Sequence, residues 1–218
     1  EQSAVLNTNT RYLYQSLEEY SEKLISLFPK QLNKVFFVNS GSEASDLAIR
    51  MARYHTKNES IVVVENGYHG HTEIGINISD YKFNNKKGTG QKDYILKLET
   101  PNTFNGKYKV DDKDPGLKYA NDALKILNNH KDSIAAFISE PILSCAGQVP
   151  LASNYLKNLY PSIKEKGGVC ISDEVQTGFG RLGKWFWGYE SQEVIPDIVV
   201  LGKPMGNGHP IGAVITTS

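Results

Sequence analysis

Five short runs of β-branched and apolar residues constrain this chain more than any other feature. They are Val35-Phe36-Phe37-Val38, Ile61-Val62-Val63-Val64, Ile134-Ala135-Ala136-Phe137-Ile138, Val169-Cys170-Ile171-Ser172 and Ile198-Val199-Val200-Leu201. A strand this uniformly apolar has no side for water, so both of its faces must be covered. The intervening segments supply the cover. Leu17, Tyr20, Leu24 and Phe28 share one stripe of a helix expected over 13–28 and stopped by Pro29. Ala44, Leu47, Ala48 and Met51 do the same over 43–54. Further helices are expected over 119–128 and over 154–166, the latter broken or kinked at Pro161 and closed by Gly167-Gly168. Residues 82–116, rich in Lys, Asn, Gly and Asp, read as an irregular surface excursion, and 198–201 as the last buried strand. Strands alternating with helices specify an α/β chain with a mostly parallel sheet between helical layers.

Composition narrows the partners. Hydrophobic residues make up 39% of the 218 positions and charged residues 22%, enough for a packed core in one large domain or two small ones. Lys plus Arg and Asp plus Glu are both 24, so no basic excess favours nucleic acid or an anionic membrane surface. No run approaches the roughly 18 apolar residues of a membrane span. Cys145 and Cys170 make no CxxC and cannot form a disulfide framework, which suits a reduced, cytoplasmic setting. The first residues lack the order of a signal peptide, and the absence of an initiating Met suits a fragment or a processed product.

In such sheets ligands bind outside the carboxyl ends of the strands. The residues there are Asn39 to Ser42, Asn66 to His69, Glu140-Pro141, Asp173 to Gln176 and Gly202-Lys203, polar or ionisable where the strands feeding them are apolar. Gly41 permits close backbone approach, Ser42 can cap the following helix, and free N–H groups at a helix start attract phosphate. An ordinary βα turn has the same wording. Asp173 can face a protonated ring nitrogen or a metal ion while Glu174 points away, or both can be solvated acids. Lys203 follows a buried strand inside a Gly-flanked turn. Desolvation at such a place lowers an amine's pKa and makes it nucleophilic, as Schiff-base chemistry requires.

Two motifs fail on context. Gly178-Phe179-Gly180-Arg181-Leu182-Gly183 matches GxGxxG but runs into Lys184-Trp185-Phe186-Trp187 instead of a helix. His69-Gly70-His71 offers two metal ligands without a clear third.

Taken together, Asn39-Ser40-Gly41-Ser42-Glu43-Ala44, Gly67-Tyr68-His69-Gly70, Ser139-Glu140-Pro141, Asp173-Glu174-Val175-Gln176-Thr177-Gly178-Phe179-Gly180-Arg181 and Leu201-Gly202-Lys203 resemble the class III pyridoxal-phosphate-dependent aminotransferases. Residues 6–13, Ser144-Cys145-Ala146-Gly147-Gln148 and residues 202–210 are similar in wording to the ethanolamine-phosphate phospho-lyase branch of that family, while Glu140-Pro141-Ile142 follows the common aminotransferase wording. The resemblance implies a three-layer αβα sandwich of the fold-type I kind, with one antiparallel strand whose position the sequence does not reveal. It implies pyridoxal 5'-phosphate as cofactor, an amino donor and a 2-oxo acid as substrates, a phosphorylated amine in the lyase alternative, and a homodimer.

It also implies roles. Lys203 would carry the cofactor as a Schiff base and move the Cα proton. Asp173 would pair with the pyridine nitrogen, Gln176 would bond the ring oxygen, and Tyr68 and Val175 would pack on opposite ring faces. Gly41 and Ser42 would cradle the phosphate, His69 belongs to the cofactor-binding set, and Glu140 would act near the substrate's reacting end. Residues 1–218 would then be an incomplete cofactor-binding large domain, without the family's N-terminal segment and C-terminal small domain. A cofactor-domain piece with a purely structural role is the rival expectation.

Overall fold

The computed structural model describes Ala4, Arg11 and residues 15–218. In chain order the elements are α1 (Gln15–Ile25), β1 (Lys34–Val38), α2 (Gly41–Thr56), β2 (Ser60–Val64), α3 (Glu73–Asn77), α4 (Asp80–Phe83), β3 (Ile95–Leu98) and α5 (Pro115–Asn129). There follow β4 (Ile134–Ser139), the two short strands β5 (Ile142–Leu143) and β6 (Val149–Pro150), α6 (Tyr155–Glu165), β7 (Val169–Asp173), β8 (Ile198–Leu201) and β9 (Gly212–Thr216). Single 3-10 turns occupy Gly188–Gln192 and Lys203–Gly206.

Seven strands form one sheet in the order β1-β9-β8-β7-β4-β2-β3. β8, β7, β4, β2 and β3 are mutually parallel, and β9 runs antiparallel to both β8 and β1. The antiparallel strand is therefore β9. Alternate side chains of each strand enter different cores, as the pleat requires. Ile61, Val63 and Ile138 pack with Ala44, Ala48 and Ile49 of α2. Val62, Val64 and Phe137 pack with Tyr119 and Leu127 of α5 and with Tyr155 and Leu159 of α6. A third cluster joins Leu24 and Phe28 to Trp187, Val199, Leu201 and Ile215. This is the expected three-layer arrangement, with helices on both faces of the sheet.

Several expectations move. The excursion over 82–116 contains β3, whose Ile95 and Leu98 are buried at the sheet edge. Four residues amid Lys, Asn and Gly are too short a signal to read. β8 is not the last buried strand: Gly212-Ala213-Val214-Ile215 forms β9 between β1 and β8. α6 runs through Pro161 without a break; Pro161 is exposed, so water can reach the Lys157 carbonyl that it cannot bond. α5 starts earlier than its apolar stripe, at Pro115, because Asp114 caps it by accepting from Leu117 N–H at 3.1 Å. Leu13, where α1 was expected to begin, lies outside the described residues, as do all but Arg11 of the 6–13 stretch. Among the described residues, no helix is long and apolar enough to cross a membrane.

Candidate functional site

The carboxyl ends of β1, β2, β4, β7 and β8 converge on a cleft of about 350 Å³, within the range of ligand pockets. At the first of these ends, the N-cap of α2 is Ser40, not Ser42. Ser40 Oγ accepts from Glu43 N–H at 3.1 Å, and the Glu43 carboxylate reaches back to Asn39 N–H at 2.6 Å. The reciprocal capping arrangement thus closes one residue further upstream than in its usual form. That leaves Ser42 for other work: its hydroxyl lies 2.8 Å from His71 Nδ1 and accepts His71 N–H at 3.2 Å. A Cβ on Gly41 would come within 2.8 Å of Val175 Cγ2, and one on Gly202 within 3.0 Å of Gly41 N. Side chains at either glycine would push apart the β1, β7 and β8 ends.

At the end of β7 the two adjacent acids do separate work. Asp173 is buried and lines the cleft, accepting from the His69 ring at 2.8 Å and from Val175 N–H at 3.1 Å. Since a carboxylate only accepts, Nδ1 of His69 carries the proton. Glu174 turns the other way and is fully buried, holding Ser172 and Thr177 hydroxyls and Gly188 and Tyr189 N–H groups at 2.6–3.1 Å. It anchors the 177–189 loop, and burial pushes its carboxyl above the usual range against the pull of those four donors.

The β2 end carries Tyr68 and His69. His69 is buried; its N–H donates to Ser79 Oγ at 2.8 Å, while its Nε2 is buried without a partner. Tyr68 N–H donates to Glu140 Oε1 at 3.1 Å, and Glu140 Oε2 accepts from both the N–H and the hydroxyl of Ser144. Glu140 therefore ties the Tyr68 wall to the β4 end. Burial and then the nearby Asp173 charge raise its pKa. Val175, Gln176 and Lys203 complete the lining. Lys203 opens its 3-10 turn with a φ of 40°, a left-handed conformation rare for a side chain of this kind, and it is exposed. The desolvation expected of a strand-end lysine is absent from the chain by itself, because the turn after β8 carries the side chain out of the sheet.

The profile of the family described as aminotransferase class-III matches residues 1–218. The chain belongs to the class-III aminotransferase family. Over 99% of its length it is 43% identical to an alanine–glyoxylate aminotransferase 2-like protein of Drosophila melanogaster, covering 45% of that protein. A phospholyase from Arthrobacter in complex with phosphoethanolamine superposes with a TM-score of 0.88 at 38% identity, over all of this chain and 51% of that one. An omega transaminase from Pseudomonas jessenii in complex with PMP superposes at 0.86 and 26% identity, over all of this chain and 50% of that one. The chain thus spans about half the length of these relatives.

For this class-III aminotransferase chain, all nine singled-out residues, Gly41, Ser42, Tyr68, His69, Glu140, Asp173, Val175, Gln176 and Lys203, line the one cleft. Sequence reading passed over three more of its lining residues. Ser144 was noticed only as branch wording, yet it binds Glu140; His71 was weighed only as a metal ligand, yet it bonds Ser42; His209 had no signal beyond its place in the loop after Lys203. Nδ1 of His69 and Nδ1 of His71 are committed to different partners, and among the described residues no trio of His, Cys, Asp or Glu gathers around a metal position. The segment after Gly183 forms turns and the Gly188–Gln192 3-10 turn, with no helix for a dinucleotide.

The residues fit pyridoxal phosphate, the cofactor of this family. A buried carboxylate held by a histidine suits a protonated ring nitrogen. The start of the 16-residue α2, with Gly41 clear of any Cβ, suits a phosphate. Lys203, which carries an amine, lines the same cleft.

Proposed function

We propose that this chain is the cofactor-binding portion of a pyridoxal-phosphate-dependent aminotransferase, moving an amino group between an amine or amino acid and a 2-oxo acid. The observation that carries the reading is the meeting of Asp173 with its His69 partner, the Gly41–Ser42 helix start and Lys203 around one cleft. When bound, the cofactor supplies an electron sink that stabilises the negative charge left at Cα after proton loss.

The chain's own groups do the rest. Asp173 would hold the pyridine nitrogen in its protonated form, and the His69 Nδ1–H donated to its carboxylate fixes the orientation for that role. Gly41 and Ser42 would hold the phosphate through backbone N–H groups and the Ser42 hydroxyl, which His71 orients. Tyr68 and Val175 would hold the ring between them, and Gln176 would bond its oxygen. Lys203 would hold the cofactor at its aldehyde end through Nζ and, once freed by the incoming substrate amine, would move the Cα proton. Glu140, its two oxygens already occupied, positions the Tyr68 wall beside the substrate's reacting end.

The likeness to the Arthrobacter phospholyase supports a second reading, elimination of phosphate from a phosphorylated amine. We further propose that residues 1–218 are part of the large domain, that the protein works as a homodimer, and that it acts in a reducing, cytoplasmic compartment, which suits the free Cys145 and Cys170. Incubating the full-length protein with amino donors, 2-oxo acids and phosphoethanolamine tests the reading. Keto-acid formation supports transamination and phosphate release supports elimination. Neither product, from a colourless protein that takes up no cofactor, would leave the structural-piece reading.

A further inference from the structure

The first turn of α2 has few donors to offer an anion. Glu43 N–H goes to Ser40 Oγ at 3.1 Å and Ala44 N–H to the Ser40 carbonyl at 3.0 Å, which leaves the N–H groups of Gly41 and Ser42 open. A phosphate has three terminal oxygens, so two N–H groups leave it under-bonded. The half-buried Ser42 hydroxyl is the next donor, and His71 competes for its proton. A serine hydroxyl has one proton to give and two lone pairs to accept with. His71 N–H takes one lone pair at 3.2 Å, and His71 Nδ1 lies 2.8 Å from the same oxygen. Two arrangements satisfy that second contact. With a proton on Nδ1, the imidazole donates, both lone pairs of Ser42 are filled, and the hydroxyl proton is free for a ligand. With Nδ1 bare, the hydroxyl proton goes to the imidazole.

The backbone keeps the two residues in register. Gly70 has a φ of 116°, and a Cβ there would come within 2.8 Å of Ser42 Cα and Oγ, so glycine is what lets the chain approach α2 this closely. On the other side Thr72 caps α3, its hydroxyl accepting from Gly75 N–H at 3.0 Å. His71 is pinned between these neighbours, while its side chain is exposed and can exchange protons with water. Most of the charged groups on the surrounding elements are engaged elsewhere. On α2, the Glu43 carboxylate is turned to Asn39 N–H at 2.6 Å and Asp46 to Arg50 at 3.0 Å; Glu73 opens α3 at the surface. In the cleft, Asp173 is held by His69, and Glu140 by Tyr68 N–H and Ser144. Tyr68, Lys203 and His209 are its remaining titratable groups.

We infer that His71 is a proton gate on the phosphate grip: protonated, it directs the Ser42 hydroxyl onto the cofactor's phosphate, and deprotonated, it draws that hydroxyl away. The inference rests on the reading of the cleft as a pyridoxal-phosphate site and adds to it a positioning residue and a pH dependence. A phosphate held at Gly41 and Ser42 places negative charge beside the pair and favours the imidazolium. Binding and protonation of His71 therefore support each other. Cofactor retention is strongest at the acid end of the range in which imidazoles titrate, falls as pH rises through it, and levels off above.

Equilibrium titration of the full-length protein, followed by cofactor absorbance between about pH 6 and 9, reads the gate. Two aldehydes are compared: pyridoxal 5'-phosphate, and pyridoxal, which lacks the phosphate. Wild type and His71→Asn are run in parallel, because asparagine keeps a hydrogen-bonding atom beside Ser42 but cannot titrate. The ratio of their affinities cancels the titration of the phosphate itself and of Lys203. For pyridoxal 5'-phosphate this ratio should fall about tenfold or more as pH rises, the order of one hydrogen bond to a charged group. For pyridoxal it should change by less than about twofold, the usual scatter between changes that do not interact. In a Ser42→Ala background the fall should vanish, since the gate has no hydroxyl to direct. An equal fall for pyridoxal, or a fall that survives in Ser42→Ala, would overturn the inference. Uptake of pyridoxal 5'-phosphate with a flat ratio would remove the gate and leave the cofactor reading. No uptake of either aldehyde by wild type would remove both.

Discussion

Replacing Glu174 should unfold the loop architecture on which the cleft rests, at a cost that the structure allows one to estimate. Its carboxylate is fully buried and is the acceptor for two hydroxyls and two backbone N–H groups. In Glu174→Ala the Gly188 and Tyr189 N–H groups lose their acceptors, at about 1–3 kcal/mol each. The Ser172 and Thr177 hydroxyls can rotate and add less. Relief from keeping a carboxylate out of water offsets part of this, leaving a net loss of about 2–4 kcal/mol. Glu174→Gln keeps the shape but turns an amide N–H₂ toward groups that are themselves donors, so it should fall between Ala and wild type. Urea unfolding followed by far-UV circular dichroism measures both, with an unchanged m-value expected. pH supplies an independent arm. Burial raises this carboxyl above its ordinary value of 4.5, so between that value and the folded one the native state holds the extra proton. The contribution to stability is therefore greatest below the window, falls as pH rises through it, and is constant above it. Glu174→Gln should remove that slope. A Glu174→Ala protein within about 0.5 kcal/mol of wild type would refute the anchoring role.

Other substitutions probe the remaining links. Asp173→Asn should leave the fold intact and lower kcat by at least about a hundredfold, on the order of losing one preorganised electrostatic partner; full activity in steady-state assays would remove Asp173 from the mechanism. Trp187→Ala should destabilise the β8–β9 end by about 3–5 kcal/mol in the same urea assay. The ring is fully buried, stacks on Phe28 at 4.3 Å and donates to the Leu27 carbonyl at 2.9 Å. A loss under about 1 kcal/mol would show that α1 is not held there. Gly41→Val should weaken uptake of pyridoxal phosphate in absorbance titrations more than tenfold, about the effect of a lost close approach, since even a Cβ would meet Val175 at 2.8 Å. Unchanged uptake would mean that the phosphate does not lie at this turn.

Much of this architecture was legible because its signals are long or doubled. Five apolar runs named five of the seven sheet strands, and the polar residues placed directly after them named the cleft. β3 and β9 escaped for different reasons. Ile95 to Leu98 is too short to stand out from its polar surroundings. Gly212 to Thr216 is apolar enough, but it follows the Gly-rich turn after Lys203, where the eye reads a loop. The Ser40 cap was missed because Ser42 has the same chemistry, and only the backbone decides between them. His71 acts through Ser42, a partner distant in sequence, a relation that local spacing cannot express, and Ser144 meets Glu140 only because the turn after β4 brings it back. Adjacent acids gave the clearest return. A strand reverses its side chains at every residue, so Asp173 and Glu174 had to face different environments, and the structure gives one to the cleft and the other to the loop.

The central claim is that Lys203 is the amine that takes up the cofactor. Its most direct test is to saturate the full-length protein with pyridoxal phosphate, reduce with borohydride, and map the labelled peptide by mass spectrometry. The pyridoxyl group should reside on Lys203, with no retained label in Lys203→Ala after dialysis. Label on Lys184, Lys82 or any other lysine of the wild-type protein, with Lys203 unmodified, would contradict the assignment and the arrangement of the cleft built around it.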